Sequence, residues 1–353
     1  MLHDLTAELL WPRILRAPAL ALRPSRVMLG MVAVFIASLI GQLSTLWSDK
    51  PAYSTELSEP LGKIFAQAAD SITQLSATGL FNAVKALAML PGTLLLDRPV
   101  DTVVLGLPIV LVFVLFGGAI SRAVATEFAT TRITDWPADL RTSISKLGWS
   151  VGATIAPLAI AGVLVGAITL GGSSLGVPVL NIAGAILYSV ALVFALLAIF
   201  ILALHALALP MIVPALMCEG TDGYDAAQRS YAYILAHPLR LLSHGAILLV
   251  LGAVSIGIVA GVAINAIALT NWAASEFAGD SGAAVLLGGE GLAATQPIAH
   301  EIIRGWRALL RIVVSGFVVS YYFTAGTLLY LVARRICDGQ GTNEVWNPAT
   351  DQI

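Results

Sequence analysis

AGAILYSVALVFALLAIFILALHALAL, residues 183–209, runs for 27 residues without an aspartate, glutamate, lysine or arginine. An α-helix rises about 1.5 Å per residue, so about 20 such residues cross the roughly 30 Å hydrocarbon core of a bilayer. A stretch of this length and composition reads as a transmembrane helix. Five further runs share its character, near 27–47, 103–121, 149–170, 245–270 and 312–333. The expected fold is all-α: a polytopic α-helical integral membrane protein with about six transmembrane helices and amphipathic surface helices, forming a single membrane domain over 1–353.

Composition agrees. Hydrophobic residues make up 58% of the 353 residues and charged ones 11%, against about 25% charged in soluble domains. A net charge of −2 offers no field for a polyanion, so nucleic acid is not an expected partner. The two cysteines, Cys218 and Cys337, provide no disulfide framework. Both fall in segments assigned below to the inner side, where reduced thiols are expected. The first strongly apolar run starts near Val27 and is too long for the core of a cleaved signal peptide, so it reads as a retained first span.

Trp47, Trp149, Trp272 and Trp306 lie at the ends of the expected spans, where an amphipathic indole is favoured. Lysine and arginine set the orientation. With the N-terminus inside, the inner segments hold Arg13, Arg16, Arg23, Arg26, Arg122, Arg132, Arg141, Lys146, Arg229, Arg240, Arg334 and Arg335, 12 in all. The outer segments hold Lys50, Lys63, Lys85, Arg98, Arg304, Arg307 and Arg311, seven in all. This bias places both termini in the cytoplasm of a bacterial cytoplasmic (inner) membrane.

Between the spans, residues 1–26 read as an inner interfacial segment, with Leu2, Leu5, Leu9 and Trp11 at rough helical spacing and Pro12 breaking it. The outer segment 48–102 is too long for a plain turn. Its Leu61, Ile64, Phe65, Ala68, Ile72 and Leu75 form a helical stripe, with Lys63, Gln67, Asp70 and Gln74 off the apolar face. One amphipathic helix is expected over 59–76. A second apolar stretch, Leu80 to Leu90, ends at Pro91–Gly92. Both are expected on the outer membrane surface or over the bundle, with a re-entrant hairpin around 80–96 as the alternative. Residues 334–353 form a cytoplasmic tail.

Segments 131–147 and 219–242 read as inner connecting helices. The first has Ala138, Arg141 and Ser143; the second has Ala226, Arg229 and Ser230. This echo fits an internal duplication, as in many transporters, or two loops under one topological constraint. In the second connector, Asp222 can cap the helix and Asp225 can sit near the positive end of its dipole. Asp222, Asp225 and Arg229 are therefore expected to be structural. Pro238 should turn the chain at His237.

The run PALMCEGTDGYDAAQRSYAYILAHPLRLL, 214–242, resembles a pattern in uncharacterised bacterial polytopic membrane proteins, among them the membrane domain attached to some glycerophosphodiester phosphodiesterases. GGAISRAVATEFA, 117–129, is similar to a span-ending motif of such proteins. The resemblance covers two inner loops and their flanking spans. It implies a helical membrane fold and brings no catalytic residue. The phosphodiesterase domain has no counterpart, because no separate soluble stretch is long enough to house one.

Several groups could carry chemistry. Arg304, Arg307 and Arg311 follow helical spacing after Glu301 and could hold a lipid phosphate or another anion, although snorkelling and orientation explain them too. His205 and His244 fall at one level of neighbouring spans and are weak candidates for a metal or haem, without an HxxxH or CxxC spacing. The carboxylates Glu219, Asp222 and Asp225 lack the ligand spacing of a calcium loop. No charge is expected inside the spans, against a proton-coupled pump or voltage sensor. The Gly162–Gly166 and Gly257–Gly261 pairs read as sites of close helix packing. Motifs for a serine nucleophile, a phosphate loop and a zinc protease are missing.

Neither a catalytic residue nor a cofactor is therefore expected. The expected function is that of a non-enzymatic scaffold or accessory subunit of a membrane complex. The alternatives are a transporter or channel with a cavity between two repeats, and a lipid-modifying or redox membrane enzyme. The expected partners are membrane lipids, together with other proteins or a second copy of the chain.

Overall fold

The computed structural model describes residues 11–74, 76–288 and 295–346. Among them the protein is helical almost throughout and contains no strand. In chain order the helices are α1 (Trp11–Ile14), α2 (Ala17–Ala21), α3 (Pro24–Gln42), α4 (Tyr53–Thr73), α5 (Ala77–Asp97), α6 (Pro99–Val104) and α7 (Gly106–Thr130). They continue as α8 (Trp136–Ser145), α9 (Leu147–Ser173), α10 (Leu180–Glu219), α11 (Gly223–Ala236), α12 (Pro238–Leu287) and α13 (Gln296–Cys337). Short 3₁₀ turns follow α3 and α9.

Six helical segments are long and apolar enough to cross a membrane: Pro24–Leu46, Pro99–Thr130, Leu147–Gly176, Leu180–Glu219, Pro238–Gly279 and Gln296–Cys337. All six expected spans are present, and the protein is a multi-pass membrane protein. The helices outrun the expected boundaries. At 42 residues the last is about 63 Å long at 1.5 Å per residue, twice the hydrocarbon thickness.

The extra length carries charge beyond the expected limits, and the expected spans themselves hold none. Arg26, Arg122, Glu127 and Arg334 are buried within these helices. Arg26, Arg122 and Arg334 adjoin the expected limits at 27, 121 and 333, and Glu127 lies one to two turns past 121. Trp47, Trp149, Trp272 and Trp306 are each at least half exposed.

Contacts divide the chain into two units. One comprises Leu15–Phe113 and Ile247–Tyr322. Here α3 crosses α13 where Gly30 meets Gly316: a Cβ on Gly30 would lie 2.2 Å from the Gly316 carbonyl oxygen. Ser320 Oγ donates to the Ala21 carbonyl at 2.7 Å, and Tyr321 OH to Leu248 at 2.5 Å. The Tyr321 ring lies against Gly252. Ala37, Tyr53, Leu90, Leu94, Leu105 and Ile109 form an apolar cluster. A polar knot closes it: Arg98 pairs with Glu56 at 3.0 Å and Asp101 at 2.6 Å, and donates to the Pro51 carbonyl. Trp47 Nε1 also reaches Asp101, at 2.7 Å.

The expected helix over 59–76 starts earlier, at Tyr53, and runs through Pro60 to Thr73. Pro60 removes one backbone donor, but tertiary anchors hold the extra turns. Tyr53 is buried, its N–H donates to Ser44 Oγ, and Glu56 is fixed by Arg98. The inward line is Tyr53, Leu57, Leu61, Ile64, Ala68 and Ser71, whereas Phe65 is about half exposed. Leu75, the Ile72 side chain, and Leu2, Leu5 and Leu9 lie outside the described residues. The next helix does not stop at Pro91–Gly92 but continues to Asp97. Its halves Ala77–Leu87 and Met89–Asp97 are bent by 42° and together are apolar enough for a broken span or a re-entrant loop.

The other unit comprises Met1–Ile14, Val114–Ala246 and Phe323–Ile353. α9 packs along α10, and α11 packs on both. The cluster they form with α13 includes Met211, Leu216, Tyr233, Tyr330 and Leu331. Pro214 has no N–H to offer the Pro210 carbonyl, and Gly326 of α13 backs onto that free oxygen, leaving a Cβ only 2.0 Å of room. Gly117 lies against the Phe323 ring.

The crossings within the chain do not use the expected packing motifs. Gly162, Gly166, Gly257 and Gly261 have nothing within 4 Å of a Cβ position. Small residues permit close approach, but which ones are used depends on where the helices cross.

Candidate functional site

The main polar feature begins where α10 ends. Gly220 takes the left-handed conformation at φ 68° and ψ 8°, and its N–H returns to the Leu216 carbonyl at 3.0 Å. Glycine suits that backbone, and a Cβ there would lie 2.2 Å from the Trp346 ring. The turn leaves the carboxylate of Glu219 facing α13. Glu219 Oε1 accepts from Arg334 Nη1 at 2.7 Å and from Tyr330 OH at 2.9 Å. Arg229 Nη1 stands 4.0 Å from Oε2. The Arg334 side chain is 2% exposed and that of Glu219 14%, so this is a buried ion pair.

The segment after α13 folds over it. Arg334 Nη2 donates to the carbonyls of Gly341 and Glu344. Arg13 Nη1 reaches Thr342 Oγ1 at 3.1 Å. Trp346 donates its N–H to the Cys218 carbonyl at 2.8 Å, and its own carbonyl accepts from Arg122. Its indole has the Arg122 guanidinium 5.5 Å and the Lys146 ammonium 5.4 Å from the ring centre, both within cation–π range. Lys146 also donates to the carbonyls of Gly220 and Thr221. Tyr233 OH donates to Asp338.

The connector α11 matches its expected chemistry. Asp222 Oδ1 accepts from the Asp225 N–H at 2.9 Å, the N-cap bond. The helix stops at Ala236, and α12 begins at Pro238. Asp225 receives Arg229 Nε on both oxygens, at 3.1 and 3.0 Å. That hydrogen bond, one turn along the helix, raises the Arg229 pKa above its ordinary value. Burial, reinforced by Asp338, pushes the Tyr233 phenol up, and burial does the same to Tyr231.

In this arrangement the charged groups satisfy one another. Glu219 already accepts from two donors, and the cations around it are engaged by carbonyls, a carboxylate and an indole. Buried ion pairs add little net stability over an apolar core, but separating them is costly. The knot thus ties the ends of α10, α11 and α13 to one another and to the tail.

The other expected site residues are not gathered into one place. Arg304 pairs with Glu301 at 2.7 Å, with both side chains more than half exposed. Arg307 donates to Asn271 Oδ1 at 2.7 Å and to the Leu286 carbonyl at 2.8 Å. Arg311 is exposed. His205 Nδ1 meets Tyr231 OH at 2.9 Å, whereas His244 Nδ1 meets the Arg240 carbonyl at 2.7 Å. The two histidines share no partner, and no group of three or more His, Cys, Asp or Glu side chains among the described residues is placed to hold a metal.

The echo between connectors ends at helix position. Ser143 Oγ donates to the Leu115 carbonyl of α7, whereas Ser230 Oγ donates one turn back along its own helix. Sequence reasoning missed Glu219, Tyr330, Arg334, Arg122 and Trp346 as one assembly. The one local cue is that Arg122, Glu219 and Arg334 each end an apolar run.

No protein family matches the chain, and comparisons with curated proteins and with solved structures give no match.

Proposed function

We propose that the chain is a non-enzymatic scaffold or accessory subunit of a larger complex in a bacterial cytoplasmic membrane, with both termini in the cytoplasm. The observation that supports this reading is how little of the middle spans the chain itself covers. In the most apolar windows of Leu147–Gly176, Leu180–Glu219 and Pro238–Gly279, only 17%, 6% and 11% of residues are buried, against 33–56% in the other three. Gly162 and Gly166 on α9, and Gly257 and Gly261 on α12, stand open on these spans. Elsewhere the chain uses glycine to bring its own helices together. Small residues four apart give membrane helices close approach, so these open pairs suit helices of another subunit, whether a different protein or a second copy.

The test is the mass of the assembly in native nanodiscs, measured for the wild type and for Gly162→Ile/Gly166→Ile and Gly257→Ile/Gly261→Ile. With no other part of the chain within 4 Å of a Cβ at these glycines, the variants should fold and melt normally. The scaffold reading expects an assembly larger than one chain that breaks down in at least one variant. A wild type that is monomeric at native abundance, or an assembly indifferent to both variants, would refute it.

A further inference from the structure

The hairpin of α4 and α5 has one wet helix and one dry one. α4 exposes Glu59, Lys63, Gln67 and Asp70, with Lys63 and Glu59 3.9 Å apart. α5 carries a single charged residue, Lys85, between Ala77 and Leu96. Its inner line, Ala83, Leu90 and Leu94, is buried. At 100° per residue Phe81, Val84, Lys85, Met89, Leu95 and Leu96 fall on the opposite arc, and all of them are exposed, Leu96 by 83%. An exposed face that is apolar but for one lysine fits a lipid interface, where a lysine stem can lie along the apolar surface.

Two contacts fix how the hairpin runs. At its tip Gly79 backs onto Ser71, leaving a Cβ 2.3 Å from Oγ. At its base Arg98 joins the end of α5 to Pro51 and Glu56 at the start of α4. The helices are therefore antiparallel and of equal length. If α5 crossed the bilayer, α4 would have to cross beside it with Glu59, Lys63 and Asp70, and such charges are expelled from hydrocarbon. Lys85, near the middle of α5, would also stand at mid-depth.

Lying flat removes both costs, because the lysine stem can carry its ammonium out to the headgroup phosphates. The dry surface also continues beyond Leu96 along the chain into Val100, Val103, Val104 and Leu107, exposed residues at the start of the span Pro99–Thr130. That span supplies the lipid-facing surface the hairpin extends.

We infer that the α4–α5 hairpin is a membrane-surface module whose partner is the bilayer itself. The Phe81, Val84, Met89, Leu95 and Leu96 face of α5 lies among the acyl chains of one leaflet, and the charged face of α4 stays in water. The bent pair Ala77–Leu87 and Met89–Asp97 is then not a seventh span, and the two chain ends share one side of the membrane.

Nitroxide labels at Phe81→Cys, Lys85→Cys, Leu96→Cys and Lys63→Cys test this in the full chain, with Cys337→Ser and with the buried Cys218 as an unlabelled control. The protein is reconstituted into phosphatidylcholine–phosphatidylglycerol vesicles, and collisions with oxygen and with a water-soluble nickel chelate are measured. Labels at 81, 85 and 96 should meet oxygen and not nickel, all at one shallow depth, and that at 63 should meet nickel. Nickel access at 81 and 96 would put the face in water. Exclusion of both colliders would put another protein over it. A label at 85 at the bilayer centre would mean that α5 crosses. Any of these three results overturns the inference.

Discussion

Glu219→Ala would leave a guanidinium buried without its carboxylate. Arg334 Nη1 would lose its 2.7 Å partner, and Tyr330 would lose the acceptor at 2.9 Å. Arg334 Nη2 would keep the Gly341 and Glu344 carbonyls, so the charge would not be wholly unsolvated. Removing one member of a buried pair costs about 3–5 kcal/mol. The lower end applies, because Glu219 retains some exposure and Arg229 has Asp225 as a second partner. At roughly 1–2 °C per kcal/mol for a chain of this length, a loss of ~3 kcal/mol lowers the melting temperature by about 3–6 °C.

With Cys337→Ser in every chain, a thiol-reactive dye in mild detergent suits the measurement, because the remaining thiol, Cys218 next to Glu219, is buried in the folded protein. Arg334→Met in the same chain removes the stranded charge. The double variant Glu219→Ala/Arg334→Met should therefore recover most of the loss, since apolar replacement of a buried pair is often neutral. A wild-type melt for Glu219→Ala, or a double variant no more stable than the single, would show that the pair is not buried and coupled as described.

Two further outcomes follow from the connector and from the charge distribution. Asp222→Ala removes the N-cap bond to Asp225 and should cost about 1 kcal/mol, with Asp222→Asn retaining most of it; equal melts for Asp222→Ala and the wild type would remove the capping role. The proposed orientation rests on 12 inner against seven outer lysines and arginines. With a membrane-impermeant maleimide and Cys337→Ser, Lys63→Cys should label on intact cells and Asn343→Cys only after permeabilisation. Labelling of 343 from outside would reverse the orientation.

Much of this protein is a property of neighbouring residues and is legible in its sequence. Hydropathy over about 20 residues determines a span, so all six were found. The Asp222 cap and the turn at His237–Pro238 depend on residues within one helical turn, and both are present. The helix around Ile64 was visible in its periodicity, but its start was not, because Tyr53 and Glu56 are held by Ser44 and Arg98 from elsewhere in the chain.

Tertiary structure decided the rest. Glu219 and Arg334 are 115 residues apart, and no local pattern pairs them. Gly30 and Gly316, not the spaced pairs Gly162–Gly166 and Gly257–Gly261, mark a true crossing. Arg304 pairs with Glu301 one turn away, whereas the Arg307 partners Asn271 and Leu286 come from the preceding helix, which no spacing within one span records. In lipid every helix satisfies its own backbone, so local sequence suffices to build each span. How the spans pack depends on side chains that meet only after the chain has folded back on itself, and single-span patterns do not record those meetings.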